Sequence, residues 1–94
     1  ENFFIMLLSR ARYKTVIGEK EIADTKSSSS ALISFTFVNA QSVKDFGKLA
    51  DENGGKSIHL DNGIPEEMMY GLEVQDPDGN CLEPVWMNPE MANN

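Results

Sequence analysis

The sequence has only one cysteine, Cys81, among its 94 residues. No disulfide can therefore form within the chain, and a lone cysteine fits the reducing cytoplasm better than a small secreted scaffold. Long apolar runs are also missing. The longest, from Phe3 to Leu8, is too short to span a bilayer, and no targeting signal is recognisable. The chain starts with Glu1 inside a strand-like run, so we expect a cytoplasmic protein with further residues upstream.

Basic residues are missing from the C-terminal part of the chain. All Lys and Arg lie between Arg10 and Lys56, whereas the segment from Ser57 onward carries only acidic charges. The net charge of −7 disfavours nucleic acids and anionic membranes as partners. The acidic segment has two interpretations, either a solvated acidic surface or a field that attracts cations.

From Ala31 onward, local signals predict the order β, α, β, β, β. The helix is predicted to begin at Ser42, with Asp45 completing a capping box, and to stop at Gly54-Gly55. Pro84 lacks an N–H, which indicates an edge strand or a local irregularity. The predicted strands and loop are, in order, strands 31–38 and 56–60, the loop 61–67, and strands 68–75 and 81–87.

The last two strands are predicted to form a β-hairpin. Pro77 suits the second position of a type I turn, Asp76 can bond the turn's backbone, and Gly79 supplies a positive φ. In the return strand, alternation places Cys81, Glu83, Val85 and Met87 on one face and Leu82, Pro84 and Trp86 on the other. Glu83 is thus a carboxylate among apolar neighbours.

Before Ala31 the pattern is less regular. Asn2 to Leu8 is continuously apolar, which predicts a strand buried on both faces. Arg10 to Ile17 is predicted to form a short helix that ends at Gly18, and Thr25 to Ser30 a polar linker. We therefore divide the chain into residues 1–30, a module over 31–88 and a tail over 89–94 that we expect to be unordered.

The hairpin region resembles a known superfamily. An apolar strand, then Asp76-Pro-Asp-Gly-Asn80, then Glu83 four residues after the glycine, is similar to the vicinal oxygen chelate superfamily, which includes glyoxalase I and bleomycin-resistance proteins. The resemblance implies an α+β fold of βαβββ modules, two of which usually form one cupped cavity. Residues 31–88 would be one glyoxalase/bleomycin-resistance module, and Asn2–Leu8 the last strand of a truncated first module.

The resemblance also singles out Glu83. In metal-dependent members the matching residue is a metal ligand, and a second ligand, often His, lies at the start of the module's first strand. The alignment puts Leu32 at that position, and Leu cannot bind a metal. One carboxylate does not hold a divalent metal alone, so such a cofactor is possible but not favoured. Glu83 remains the candidate catalytic and metal residue; alternatively it is hydrogen-bonded to a neighbour or faces a wet cavity.

Two further residues could carry chemistry. His59, the only histidine, could act as a general base near neutral pH, although a lone His beside a loop is more often structural. Cys81 could be a nucleophile, but no neighbouring residue in the sequence would activate its thiol, and packing is the simpler interpretation.

Several soft or aromatic residues could form a ligand pocket. Met adapts to irregular ligands, and Tyr or Trp offers stacking with a polar group. The alternative is an ordinary core beneath the helix. The candidate ligand-binding residues are Met68, Tyr70, Trp86 and Phe35.

These observations leave three hypotheses for function. The first is a glyoxalase/bleomycin-resistance-like protein that binds a small organic ligand without metal. The second is a divalent-metal lyase of the same superfamily with Glu83 as ligand and base, and the third is a non-catalytic dimerisation module. Because one open sheet leaves an apolar face and free edges uncovered, we expect a homodimer with exchanged strands or modules.

Overall fold

The computed structural model describes residues 4–92 and has an α+β fold with one four-stranded mixed sheet. Between residues 32 and 87 the element order is β, α, β, β, β, as the sequence predicts. The elements are α1 (Arg10–Ile17), β1 (Leu32–Thr36), α2 (Ala40–Glu52), β2 (Lys56–His59), β3 (Met69–Gln75), β4 (Cys81–Met87) and α3 (Pro89–Ala92).

The sheet has the strand order β1-β4-β3-β2, with β1 parallel to β4 and the other neighbours antiparallel. The suggestion that Pro84 marks an edge strand is wrong, since β4 lies inside the sheet. The predicted irregularity is present instead. Pairing between β3 and β4 is interrupted between Gly71–Val85 and Val74–Leu82, where Pro84 has no N–H to donate.

The hairpin between β3 and β4 is confirmed. Gly79 N donates to Asp76 O at 2.9 Å, and Gly79 has a φ of +91°. The Asp76 carboxylate accepts from the backbone N–H of Asp78 and of Asn80 at 2.9 and 2.8 Å. These bonds satisfy the turn's donors without another element, which explains why the turn could be recognised from local sequence.

Helix α2 starts earlier than the sequence predicts. Asn39, not Ser42, is the N-cap, and its side chain accepts from Ser42 N at 2.7 Å. Ser42 completes the capping box from the third helical position, whereas Asp45 accepts from Gln41 instead. Both residue types cap helices well, and the choice between them depends on where the backbone leaves β1.

One face of the sheet packs against α2 and forms the core. Val43, Leu72 and Val74 are buried there, and Phe37, Phe46, Ala50, Tyr70, Leu82 and Trp86 pack around them. Gly47 is buried in α2, where a Cβ would collide with the Leu72 side chain. The glycine therefore lets the helix approach β3 closely, which offsets its low helix propensity.

The strand predicted over residues 2–8 does not form in residues 4–8, and residues 2 and 3 lie outside the described part. The side chains of residues 4–8 are exposed rather than buried on both faces. A strand needs a partner for its backbone, and within residues 4–92 no strand pairs with this segment. Helix α1 follows where it is predicted and ends at Gly18, whose φ is +68°. We call residues 4–24 the N-terminal arm.

The segments that flank the sheet are more ordered than the sequence suggests. In the predicted linker, the Thr25 hydroxyl donates to Asp78 O, so this segment lies against the hairpin turn. In the predicted unordered tail, Pro89–Ala92 forms one helical turn, and the Asn88 side chain accepts from Glu90 N at 2.9 Å.

Candidate functional site

The face of the sheet opposite α2 is not covered by any helix within residues 4–92, and we call it the open face. Strand alternation brings the predicted site residue Glu83 to this face. A shallow cavity of about 330 Å³ lies over it. That volume is near the lower end of the about 300–1,000 Å³ that small-molecule sites occupy. The cavity is lined by Ser29, Leu32, Leu60, Glu73, Cys81 and Glu83.

Glu83 is half-buried and oriented by a neighbouring strand. The parallel register places Ser34 of β1 beside Glu83 of β4, and the Ser34 hydroxyl donates to Glu83 Oε1 at 2.5 Å. The second carboxylate oxygen makes no hydrogen bond within the described residues. Ser34 has a role that the sequence did not reveal, because the register between β1 and β4 is set by tertiary packing.

A second carboxylate, Glu73, lines the same cavity. The register of β3 and β4 puts it opposite Glu83, across the interrupted part of the ladder. Like charges at opposite positions repel, so the pair favours a ligand that supplies a positive or hydrogen-bond-donating group. Glu73 was not singled out from the sequence, although alternation along β3 already separates it from the buried Leu72 and Val74.

The residues of the open face do not fit a metal site within one chain. Leu32, at the position where the resemblance expects a ligand, lies beside Cys81 and contributes an apolar wall. Across residues 4–92, no three His, Cys, Asp or Glu side chains are grouped so that they could hold a metal ion. A divalent cation would need donors that these residues do not bring to Glu83.

The predicted ligand-binding residues are not brought together with Glu83. Tyr70 and Trp86 are cross-strand partners that pack against the core, on the helix-covered face. Phe35 lies on that same face of β1, beside the buried Pro84. Met68 is half-buried in the loop before β3. Their geometry matches the alternative interpretation of an ordinary core beneath the helix more closely than a shared pocket.

His59 belongs to an aromatic and charged cluster away from the open-face cavity. Its ring stacks on Tyr70 with centroids 4.8 Å apart, and Lys44 Nζ lies 5.1 Å from the Tyr70 ring centroid. Lys44 also donates to Glu66 at 2.8 Å, and this hydrogen bond raises the pKa of the lysine. The recess beside the cluster measures only about 60 Å³. His59 thus stacks on the neighbouring strand β3, and the contact from this cluster to the loop after β2 is the one between Lys44 and Glu66.

Cys81 is a half-buried free thiol on the wall of the open-face cavity. Its Sγ lies 4.0 Å from Gly79 O, which is its one hydrogen-bond contact within the described residues. No basic side chain lines the cavity with it, so the structure offers no group there to activate the thiol.

Comparison with known proteins adds no relative: no family model matches the chain, and no curated protein does. Among the helices of residues 4–92, none combines the length and the apolar character that crossing a bilayer requires.

Proposed function

We propose that this chain binds a small organic ligand on the open face of its sheet, in the manner of glyoxalase/bleomycin-resistance proteins and without a metal. The observation that supports this most is the shallow cavity of about 330 Å³, whose lining combines two leucines with two carboxylates. Sites for small molecules are mostly apolar with a few placed polar groups, and this lining has that composition.

The roles of the lining residues follow from their chemistry. Leu32 and Leu60 provide apolar contact, and Glu83, held by the Ser34 hydroxyl, provides a fixed acceptor. Because the cavity contains two carboxylates and no basic side chain, anionic ligands are disfavoured. The proposed ligand therefore has an apolar body and is neutral or positively charged.

The other two hypotheses have less support. A metal-dependent lyase would use Glu83 as ligand and base, but the cavity brings only one further carboxylate to it and places Leu32 where a second ligand is expected. A dimerisation module without a ligand would not need a carboxylate fixed by a hydroxyl on an exposed sheet face. Both remain outcomes that the following experiment can reveal.

The experiment uses the neutral dye Nile red, whose fluorescence increases in apolar sites, titrated into the complete chain. We expect saturable binding that Leu32→Asp weakens at least about tenfold, since a charge would replace an apolar wall. The control is Leu49→Asp on α2. Leu49 is 57% exposed and Leu32 is 56% exposed, so the two substitutions remove similar amounts of buried apolar surface.

Leu49 lines a separate apolar groove between α2 and β4, which makes the control informative. Loss of dye binding in Leu49→Asp alone would locate the site in that groove and contradict the proposal. Equal binding by the parent and both variants would also contradict it. Plasma mass spectrometry of the same sample would reveal stoichiometric zinc, nickel, manganese or iron if the lyase hypothesis is correct.

A further inference from the structure

We propose that Asn62 is a self-converting modification site, where the folded chain turns an asparagine into aspartate and isoaspartate with the help of the Asp61 carboxylate and the Ile64 N–H. The substrate is the chain itself, and the co-reactant is water. The site lies in the loop between β2 and β3, and the proposal is independent of ligand binding on the open face.

The sequence contains two Asn-Gly dipeptides, Asn53-Gly54 and Asn62-Gly63. Asparagine before glycine is well suited to ring closure, because glycine has no Cβ to obstruct the approach of its own nitrogen to the asparagine side chain. Local sequence therefore offers two candidate sites, and the folded backbone distinguishes them.

At Asn62 the neighbouring groups are arranged for ring closure. Gly63 N, the nucleophile, donates to Asp61 Oδ1 at 3.0 Å, so a carboxylate is in place to accept its proton. Asn62 Oδ1 accepts from Ile64 N at 3.0 Å, and this bond folds the side-chain amide back over the peptide that follows. Ile64 N–H thus faces the oxygen on which negative charge develops when Gly63 N attacks Cγ, as in an oxyanion hole.

The reaction balances within the loop and the solvent. A bond forms between Gly63 N and Asn62 Cγ, and the bond between Cγ and Nδ2 breaks. Gly63 N becomes acidic as it bonds to Cγ, and Asp61 takes its proton and passes it to Nδ2, which leaves as ammonia. Water then opens the succinimide ring. Opening at Cγ leaves aspartate, and opening at the main-chain carbonyl of Asn62 leaves isoaspartate.

The surroundings leave room for this rearrangement. Asp61, Asn62 and Gly63 are all exposed, and a Cβ at Gly63 would meet nothing within 4 Å. These residues belong to no helix or strand, so their rotation breaks no hydrogen bond of the sheet. The folded chain can therefore close the ring without opening its core.

Asn53 is held differently because it ends α2. Its Nδ2 donates to Leu49 O at 2.8 Å, which keeps the leaving group against the helix. Gly55 N, the counterpart of Ile64 N, donates to Ala50 O at 2.8 Å and is therefore not aimed at the asparagine side chain. The same dipeptide thus serves as an internal control for the effect of the fold.

The product changes the charge of the loop. Asn62 lines the recess of about 60 Å³ together with the carboxylates of Asp61 and Glu66. Conversion adds another carboxylate there, close to the pair that Glu66 forms with Lys44, and like charges repel. Because ammonia is lost, the change is irreversible, and converted chains should elute later from an anion-exchange column.

The first test incubates the complete chain at neutral pH in water enriched in the heavy oxygen isotope and follows both dipeptides by peptide mass spectrometry. Uptake of heavy oxygen separates conversion during the incubation from earlier damage. We expect Asn62 to convert at least about tenfold faster than Asn53 in the folded chain. In urea the two should convert at similar rates, with Asn62 no faster than in the folded chain. If folding slows Asn62 as much as Asn53, the proposal is wrong.

The second test assigns the role of Asp61. Asp61→Asn keeps an acceptor for Gly63 N but is a much weaker base, so it should slow conversion at Asn62 at least about tenfold. The control Glu66→Gln removes a charge from the same recess but not the group that Gly63 N contacts, and it should leave the rate unchanged. Faster conversion in Asp61→Asn, or equal slowing in both variants, would overturn this role. Circular dichroism checks that both variants fold.

Discussion

The N-terminal arm and the sheet unit, residues 32–87, use similar apolar residues with opposite results. The arm begins with Phe4, Ile5, Met6, Leu7 and Leu8, all exposed, and none of the residues of α1 is buried. In the sheet unit, apolar residues alternate along strands or recur along α2, so that one face of each element is buried. The radius of gyration, 15.6 Å, exceeds the about 12 Å expected for a compact chain of this length.

The difference shows that apolar content alone does not create a core. A run that is apolar on both faces needs neighbours on both sides, and the described residues of one chain do not supply them. An alternating run needs cover on one face only, and α2 lies close enough in sequence to supply it. Truncating a buried apolar side chain in the sheet unit should therefore lower the free energy of unfolding. Truncating an apolar side chain in the arm should change it little.

The largest expected contrast is between two leucines. Leu72 is 6% exposed beneath Gly47 of α2, whereas Leu7 in the arm is 89% exposed. We expect Leu72→Ala to lower the free energy of unfolding by about 2–5 kcal/mol and Leu7→Ala to change it by less than about 0.5 kcal/mol. Urea denaturation, monitored by circular dichroism, measures the free energy of unfolding of both variants.

Because a small domain can lose its fold entirely through such a change, Leu72→Val provides a milder version of the same test. A substantial loss of stability in Leu7→Ala would show that the arm packs in solution and would remove the contrast between the two regions.

Most of the sheet unit was predictable because its signals are local. Backbone donors of the turn over residues 76–80 are satisfied by the Asp76 carboxylate, and the strands around it alternate cleanly. The sequence does not identify the N-cap of α2, because both Asn39 and Ser42 suit that position and the exit from β1 decides between them. The position of Pro84 inside the sheet could not be predicted, because strand order depends on how distant segments pair.

The next contrast is between two glycines with positive φ. Gly79 has a φ of +91°, and a Cβ there would overlap Thr25 O and lie 2.9 Å from Lys26 Cα. Gly18 in the arm has a φ of +68° but nothing within 4 Å of such a Cβ. We expect Gly79→Val to cost about 2–4 kcal/mol, from backbone strain and overlap together.

Gly18→Val should leave the urea midpoint unchanged, because the helix that it terminates buries no residue. If Gly79→Val costs only as much as the strain at a positive φ, about 1–2 kcal/mol, then residues 25 and 26 do not rest against the turn in solution.

The candidate site was only partly predictable. Glu83 was identified because a carboxylate on an apolar strand is unusual, and it does line the open-face cavity. The role of Ser34 depends on the register between β1 and β4, because Ser34 and Glu83 are 49 residues apart in the sequence. Alternation along β3 indicates the face on which Glu73 lies, but its place opposite Glu83 also depends on the register. The aromatic residues that the sequence predicts as ligand contacts lie on the other face, since composition does not reveal which face α2 covers.

The smallest contrast compares the two helix caps. Asn39 accepts from Ser42 N at 2.7 Å at the start of α2, and Ser9 accepts from Arg12 N at 3.1 Å at the start of α1. We expect Asn39→Ala to lower the free energy of unfolding by about 1 kcal/mol, because α2 covers the core. Ser9→Ala should leave the unfolding transition unchanged and reduce only the helical signal before it, because α1 can unwind without exposing a core. Equal losses of stability from both substitutions would mean that the arm and the sheet unit unfold together.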